Sequence, residues 1–598
     1  MVLLLIALPV QAGQFHKLGI PVKSVMVMGS EVGVDETGRE VIYFNCSQAG
    51  SKLFLLQVDP QSGRSRQFNA PMGEGAWAMI IAPDKCVYLG TWESGYLLKF
   101  DPRQPEKGLV SLGKPSATET YIWHLTLGAD GWLYGCTYPH ARLVRYNPAT
   151  GKSEDLARLD EHEMYARSIA SSTNGSVYIG IGTVHAQVAR YNPTTGKVTP
   201  LLADNERPLG NATVSQVNDQ VYARIGAKTF RIEGDTLTEV AGSPAQPLPV
   251  LHDGRSITND RPENGNIVYT LISTNGATED KHVPFDSVGT AIFTVAAGPS
   301  GRIYGSSVLP LEIFDCNPAD KKLRDLGPTT GAEVYSFATD GKLLYSCAYP
   351  RGFLSIYDPK KPWHFGPTHN DNPRGFGYMG DGHLRPRAMI IGPDKRIYVG
   401  SLPPYGEVGG ALGIYDPKAD AVTENYRNIV TNQGISALCY EPVTKKIFGG
   451  SDIAAGGGGQ TVAKECVLFG WNPKTKRKDW ESVIIPGDHG MVALTAAHGK
   501  LFGVSYPSET IFVLGPKTHE VLHQEKSPLG RVQEISLAYY APHDCLYGLT
   551  QKSIFKINPD TYAITEVARS PDPITCGFAV TESGIYFGSR TQLMQWEW

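Results

Sequence analysis

The sequence predicts an all-β protein, a β-propeller of about 11–12 four-stranded blades. Three observations carry this expectation. First, one motif recurs at a spacing of about 45 residues: an apolar strand, a Pro-Asp-Lys or Ala-Asp-Gly turn, a Val-Tyr-x-Gly strand, a variable loop and a Leu-x-x-Tyr-Asp-Pro-like strand. WAMIIAPDKCVYLGTWESGYLLKFDP (77–102) and WHLTLGADGWLYGCTYPHARLVRYNP (123–148) are two clear copies. Second, 65 Gly, 42 Pro and 29 Tyr suit many short strands joined by tight turns. Third, the last copy, 577–598, supplies three strands, while FHKLGIP (15–21) resembles the outer-strand segments LVSLGKP (109–115) and LRDLGP (323–328). The N-terminal strand is therefore expected to complete the C-terminal blade and remove an open sheet edge.

In chain order, MVLLLIALPVQA (1–12) reads as the remnant of a secretory signal peptide cut after Ala12, without the basic leading region. It predicts a secreted or periplasmic protein. It is too short to span a bilayer, as is every other apolar run, so no membrane span is expected. Residues 13–240 hold the blades with the candidate site, strongest at 77–102, 123–148 and 166–196 and weaker near 25–60 and 212–240. Residues 241–386 hold further blades, at 292–318 and 334–359, with loop insertions. Residues 387–598 hold the blades at 387–417, 435–473, 491–516, 535–559 and 577–598. A dozen blades in one ring would leave a wide hole, so two fused propellers are favoured over one oversized ring. If the termini close one ring, the other is inserted mid-chain. The Pro-rich segments 242–250 and 360–387 are the candidate crossings.

Composition removes several function classes. A net charge of −4 with 19% charged residues gives no basic surface for nucleic acid. The nine cysteines are scattered without a CxxC pair and read as buried free thiols. AAGGGGQT (454–461) lacks the Gly-Lys-Ser/Thr of a phosphate loop and reads as a flexible insertion. HNDNPRGFGYMGDGH (369–383), with Asp371 and Asp381, departs from EF-hand spacing and reads as a mobile or ring-linking loop rather than a Ca²⁺ site. No Gly-x-Ser-x-Gly elbow is present.

In a propeller, the entry to each first strand and the loop after each second strand share the face around the channel, where sites usually form. Those positions carry Trp77, Trp92, His124, Tyr138, His140, Tyr165, Arg167, His185 and Arg387. The densest group, His124, Tyr138, His140, Tyr165, Arg167 and His185, belongs to two consecutive blades. Imidazoles beside phenols and a guanidinium suit proton transfer at neutral pH. Tyr-Pro at 138–139 recurs in the sibling loops AYPR and SYPS and belongs partly to the scaffold; His140 is the variable part. No cofactor is required by this set. Neutral imidazoles also suit Zn or Mn, and the loop acids suit Ca, but no H-x-H or H-E-x-x-H spacing supports a metal.

The blades, the export signal and the His/His-then-Tyr/Arg layout resemble the β-propeller polysaccharide lyases: ulvan lyases first, with oligogalacturonate and rhamnose–glucuronate lyases beside them. Those families typically have one seven-bladed ring, fewer blades than here. The resemblance implies a polysaccharide or oligosaccharide substrate containing uronic acid, cleaved by β-elimination. It implies that Arg167 neutralises the substrate carboxylate, that His124 or His140 removes the C5 proton, and that Tyr138 or Tyr165 protonates the leaving oxygen or acts as base. His185 and Arg387 join substrate binding, and Trp77, Trp92 and Trp123 stack on sugar rings or fill the core between blades. A propeller glycoside hydrolase using Glu93, Glu333, Glu407 or Glu534 is one alternative. A noncatalytic glycan- or protein-binding propeller is the other.

Overall fold

In a computed structural model, residues 13–598 are described apart from 243, 264, 330 and 331, so the signal-peptide segment 1–12 lies outside the described residues. The protein is a β-propeller protein built from short antiparallel blades, all but one of them four-stranded among the described residues. It divides into two compact units, one of residues 1–22 with 291–598 and one of residues 23–290. The second ring is thus inserted near the start of the chain. The segments 242–250 and 360–387 each lie inside a unit, so neither is the crossing.

The 23–290 unit contains six blades, with first strands Met26–Val34, Ala76–Ile81, Tyr121–Leu127, Ala166–Ser171, Leu209–Val217 and Ser256–Glu263. Successive first strands pack together from blade one to blade five, and blade six returns to pack on blade one. The sixth, three-stranded blade (256–284) is the copy that repeat reading passed over. Its strands alternate polar residues and lack the Val-Tyr-x-Gly signature in its usual setting.

The 1–22/291–598 unit contains seven blades, with first strands Ile292–Ala297, Val334–Thr339, Arg385–Ile391, Gly434–Glu441, Gly490–Ala497, Val532–Tyr540 and Cys576–Thr581. Each first strand packs on the next, and the seventh packs on the first. Strand Gln14–Gly19 pairs antiparallel with Gln592–Glu597, Phe15 opposite Trp596, and supplies the fourth strand of the seventh blade. The described residues form thirteen blades in eleven sheets, since two eight-stranded sheets each join two neighbouring blades; the 256–284 blade takes the count past the expected eleven or twelve.

The core is a series of apolar layers between neighbouring blades, and the repeat motif explains them. The tyrosines of Val-Tyr-x-Gly strands, including Tyr88, Tyr134 and Tyr398, are fully buried. These three donate their hydroxyls to the aspartate of their own hairpin turn, Tyr88 to Asp84 at 2.8 Å, Tyr134 to Asp130 at 2.7 Å and Tyr398 to Asp394 at 2.8 Å, whereas Tyr178 donates to the Gly234 carbonyl at 2.9 Å. A buried phenol needs such a partner. The glycine of the motif lets blades approach: a Cβ on Gly90 would lie 2.6 Å from Ile122, and one on Gly400 2.4 Å from Ile435. All nine cysteines are free, and eight are buried.

The Gly-rich insertion 454–461 is tied down rather than loose. Gly456 N–H donates to the Glu407 carbonyl at 2.8 Å, and Gly406 N–H donates to the Gly457 carbonyl at 3.1 Å. The 369–383 segment supplies the strand Arg374–Tyr378, the outer strand of its blade. Asp371 accepts from Thr368, whereas Asp381 pairs with Arg427 at 2.9 Å. Among the described residues no helix is long and apolar enough to cross a membrane.

Candidate functional site

Eight of the nine singled-out residues lie in the 23–290 ring, and Arg387 lies in the other unit. Local backbone geometry explains how this ring presents its side chains. Near the entry of the first strand in blades two, three and four the pairing register slips by one residue: between Ala76 and Ala78, between Ile122 and His124, and between Ala166 and Ser168. The extra residues are Trp77, Trp123 and Arg167. A β-bulge re-aims its unpaired residue, and here three consecutive blades use it to gather large side chains.

These side chains form one continuous set of contacts. Trp77 stacks on Trp123 with ring centroids 5.0 Å apart, and Tyr121 stacks on Trp123 at 5.5 Å. Tyr138 lies edge-on to Tyr121 at 5.1 Å and meets Tyr165 at 4.3 Å. The Arg167 guanidinium lies 4.2 Å from the Tyr165 ring and 5.2 Å from the Trp123 ring. Arg167 makes no ion pair among the described residues, and its buried Nε has no hydrogen-bond acceptor. The indole N–H groups of Trp77 and Trp123 are likewise buried and unsatisfied. Unmet donors inside an aromatic wall are costly unless an acceptor is supplied, so the arrangement is suited to an anionic, oxygen-rich ligand. Trp92, only 4% exposed, packs on Trp77 at 5.0 Å and supports it; its own face is closed to a ligand.

The three histidines have separate partners, and no hydrogen bond or ring contact joins any of them to Arg167. His124 Nδ1 accepts from the Ile169 N–H at 3.4 Å. Its side chain is open to solvent, yet crowding by the surrounding strands disfavours the imidazolium and lowers its pKa. His140 pairs through Nδ1 with Glu119 at 2.7 Å, and its backbone N–H also donates to Glu119 at 3.1 Å. Glu119 is buried and accepts from Thr137 as well. The backbone N–H of His185 donates to buried Glu163 at 2.8 Å, with the imidazole 4.0 Å away.

Glu119 and Glu163 were not singled out from the sequence. The signal was there: each stands two residues before a tyrosine at a first-strand entry, in ETY (119–121) and EMY (163–165). A sibling blade in the other unit explains the position. Asp488, two residues before Gly490, accepts from the Ser508 N–H at 3.0 Å and from its hydroxyl at 2.5 Å. Ser508 follows Tyr506-Pro507 as His140 follows Tyr138-Pro139, so an acid that staples the loop to the strand entry is part of the repeat. Both Tyr-Pro bonds, and that of Tyr349-Pro350, are cis.

The 291–598 ring has its own polar mouth. Arg387 on blade three pairs with Glu534 on blade six. The Tyr349 and Tyr405 hydroxyls lie 2.7 Å apart beneath Arg385, whose guanidinium is 5.4 and 5.8 Å from their rings. Tyr506 donates to Asp452 at 2.8 Å. Burial pushes the Glu333 and Asp452 carboxyls above their ordinary range. The four glutamates of the hydrolase alternative do not form a mutual pair: Glu407 bonds Arg427 at 2.5 Å, Glu534 bonds Arg387, and Glu93 and Glu333 are each pushed upward by burial. Among the described residues no group of three or more His, Cys, Asp or Glu is gathered as a metal site.

No family model and no curated protein matches the chain. Similarity is found only among solved structures. An extracellular domain of a one-component system from B. thetaiotaomicron is 13% identical, with a TM-score of 0.36 over 98% of this chain and 82% of that one. Virginiamycin B lyase from Staphylococcus aureus is 12% identical, with a TM-score of 0.28 over 56% of this chain and 95% of that one. The tricorn protease is 11% identical, with a TM-score of 0.32 over 92% of this chain and 62% of that one.

Proposed function

We propose that the protein is a secreted or periplasmic polysaccharide lyase that binds a uronate-containing glycan at the 23–290 ring. The observation that carries this reading is Arg167: a guanidinium without a protein carboxylate, bounded by Tyr165 and Trp123. A uronate supplies the missing carboxylate together with an apolar sugar face for the indoles. In β-elimination the C5–H bond breaks, its electrons form the C4–C5 double bond, and the C4–O bond breaks as the leaving oxygen takes a proton. Neutralising the carboxylate lowers the cost of the enolate-like charge that develops on it. Of Tyr165, which lies against Arg167, and Tyr138, which contacts Tyr165, one takes the C5 proton as its phenolate and the other gives its phenol proton to the leaving oxygen. This shifts the roles first considered for His124 and His140, whose contacts lie with Ile169 and Glu119.

A second reading, binding without cleavage, is favoured by one observation: Glu119 bonds His140 as Asp488 bonds Ser508, which is repeat scaffold. One experiment separates the two. Wild type and Arg167→Ala, Tyr165→Phe and His140→Ala variants are mixed with uronate glycans, and the ultraviolet absorbance of the unsaturated product is followed alongside binding. The lyase reading expects Arg167→Ala and Tyr165→Phe to lose about 10²–10⁴ in rate while His140→Ala keeps most of it. Binding that depends on Arg167 without product supports the second reading. Neither binding nor product across the panel rejects both.

A further inference from the structure

The seven-bladed ring holds a cavity that the reading of Arg167 leaves unused. It has a volume of about 290 Å³ and is lined by Phe293, Tyr335, Arg387, Arg531, Gln533 and Glu534, among others. We propose that it is a second binding site, for a small hydroxylated carboxylate of monosaccharide size, with Arg387 and Arg531 taking the carboxylate.

Charge comes first. Arg531 is exposed at the cavity wall and, among the described residues, makes no ion pair. Arg387 is paired on one side with Glu534, but its buried Nε has no acceptor. Two guanidiniums thus face one carboxylate around the same space, leaving an unmet positive charge and an unmet buried donor. An anion answers both, and a planar carboxylate matches the guanidinium fork.

Size and surface narrow the class. The volume lies at the small end of ligand pockets, which run from about 300 to 1,000 Å³, so the ligand is a single ring or a short acid and not a polymer. Phe293 and Tyr335 meet edge to face at 4.8 Å and give one apolar wall. The Thr294 hydroxyl and the Gln533 amide, whose N–H already donates to the Ile574 carbonyl and whose oxygen can accept, add polar groups to the lining that suit a ligand bearing hydroxyls. Glu534, about half exposed, occupies one flank of Arg387, so an incoming carboxylate competes with it. Below the mouth a further cavity of about 230 Å³ runs between the first strands of the blades, and Arg387 borders both spaces.

Isothermal titration of the full chain with glucuronic acid, with glucose and inorganic phosphate as controls, tests the proposal. Arg167→Ala removes the uronate contact proposed for the other ring and serves as the background for the further variants; glucuronic acid is expected to keep binding to it, and glucose and phosphate to bind it at least about tenfold more weakly. Arg387→Ala and Arg531→Gln are each expected to weaken glucuronic acid about tenfold, while Glu534→Gln tightens it several-fold by removing the competing carboxylate. Arg531 is exposed, so its variant tests the site even if Arg387→Ala fails to fold. The proposal is overturned if wild type gives no binding heat, if Arg531→Gln leaves binding in that background unchanged, if phosphate binds equally well, or if Arg167→Ala alone abolishes binding. The last outcome would place the glucuronic acid site in the other ring and leave the lyase reading standing.

Discussion

Arg387 and Glu534 pair across the channel of the seven-bladed ring. Arg387 enters from the third blade and Glu534 from the sixth, so two blades separate them one way and three the other. Most contacts in a propeller join neighbouring blades, and this one bridges the bore. Both side chains are partly exposed, at 23% and 44%, so solvent screens the pair.

A double-mutant cycle should therefore give a small but real coupling. Arg387→Ala and Glu534→Ala should each destabilise by about 1 kcal/mol, and the double variant by little more than either single, leaving about 0.5–1 kcal/mol of coupling. Urea denaturation of the four proteins measures it. Strict additivity would mean that the bridge contributes nothing.

His383 should make the protein acid-sensitive. It is 2% exposed, with Nδ1 accepting from the Ser401 hydroxyl at 2.5 Å and Nε2 donating to Asn425 Oδ1 at 3.2 Å. Burial pushes its pKa down to about 4. The unfolded chain, with a histidine pKa of about 6.5, binds the proton more readily. Stability from this group is therefore full above about pH 6.5 and is lost as pH falls through about 4, by at most about 3 kcal/mol. His383→Gln should flatten stability between those limits; an unchanged pH profile would rule this group out as the cause.

Closure by the first described strand should be measurable. The Phe15 ring lies 4.6 Å from Trp596 and 6.3 Å from Phe587. Because Phe15 is only partly buried, Phe15→Ala should cost about 2 kcal/mol, below the range for a fully buried phenylalanine. Removing residues 13–19 exposes the edge of Gln592–Glu597 and should promote association, seen by light scattering.

The Gly-rich loop should be intolerant at one position. A Cβ on Gly456 would lie 1.6 Å from the Pro404 carbonyl oxygen, whereas one on Gly457 would meet only the Tyr405 ring at 3.0 Å. Gly456→Ala should cost about 1–3 kcal/mol, and Gly457→Ala clearly less, by thermal denaturation. Equal effects would show that backbone approach is not what demands the glycine.

The blades were legible because most carry a local signal: a hairpin turn, a buried tyrosine, which in three blades bonds the turn aspartate, and a glycine that admits the next blade. The 256–284 blade was not, since it keeps the strands while losing most of those marks. The terminal closure was legible because outer strands share a pattern even when far apart in the chain.

The site was legible only in part. Residue types at the channel face could be read from the repeat, and Tyr138, Tyr165, Arg167, Trp77 and Trp123 do meet. That Arg387 stands in another ring, that His140 is held by Glu119, and that Trp92 is closed off could not be read. The sequence by itself determined the repeated blade, the strand that closes the last one, and the supply of aromatic and cationic residues at the strand entries, because these follow from local turn chemistry and alternation. The tertiary structure alone decided which of those residues share a wall. Ring membership and the one-residue bulges that turn Trp77, Trp123 and Arg167 toward one another depend on how whole blades pack, and local pattern carries no record of that.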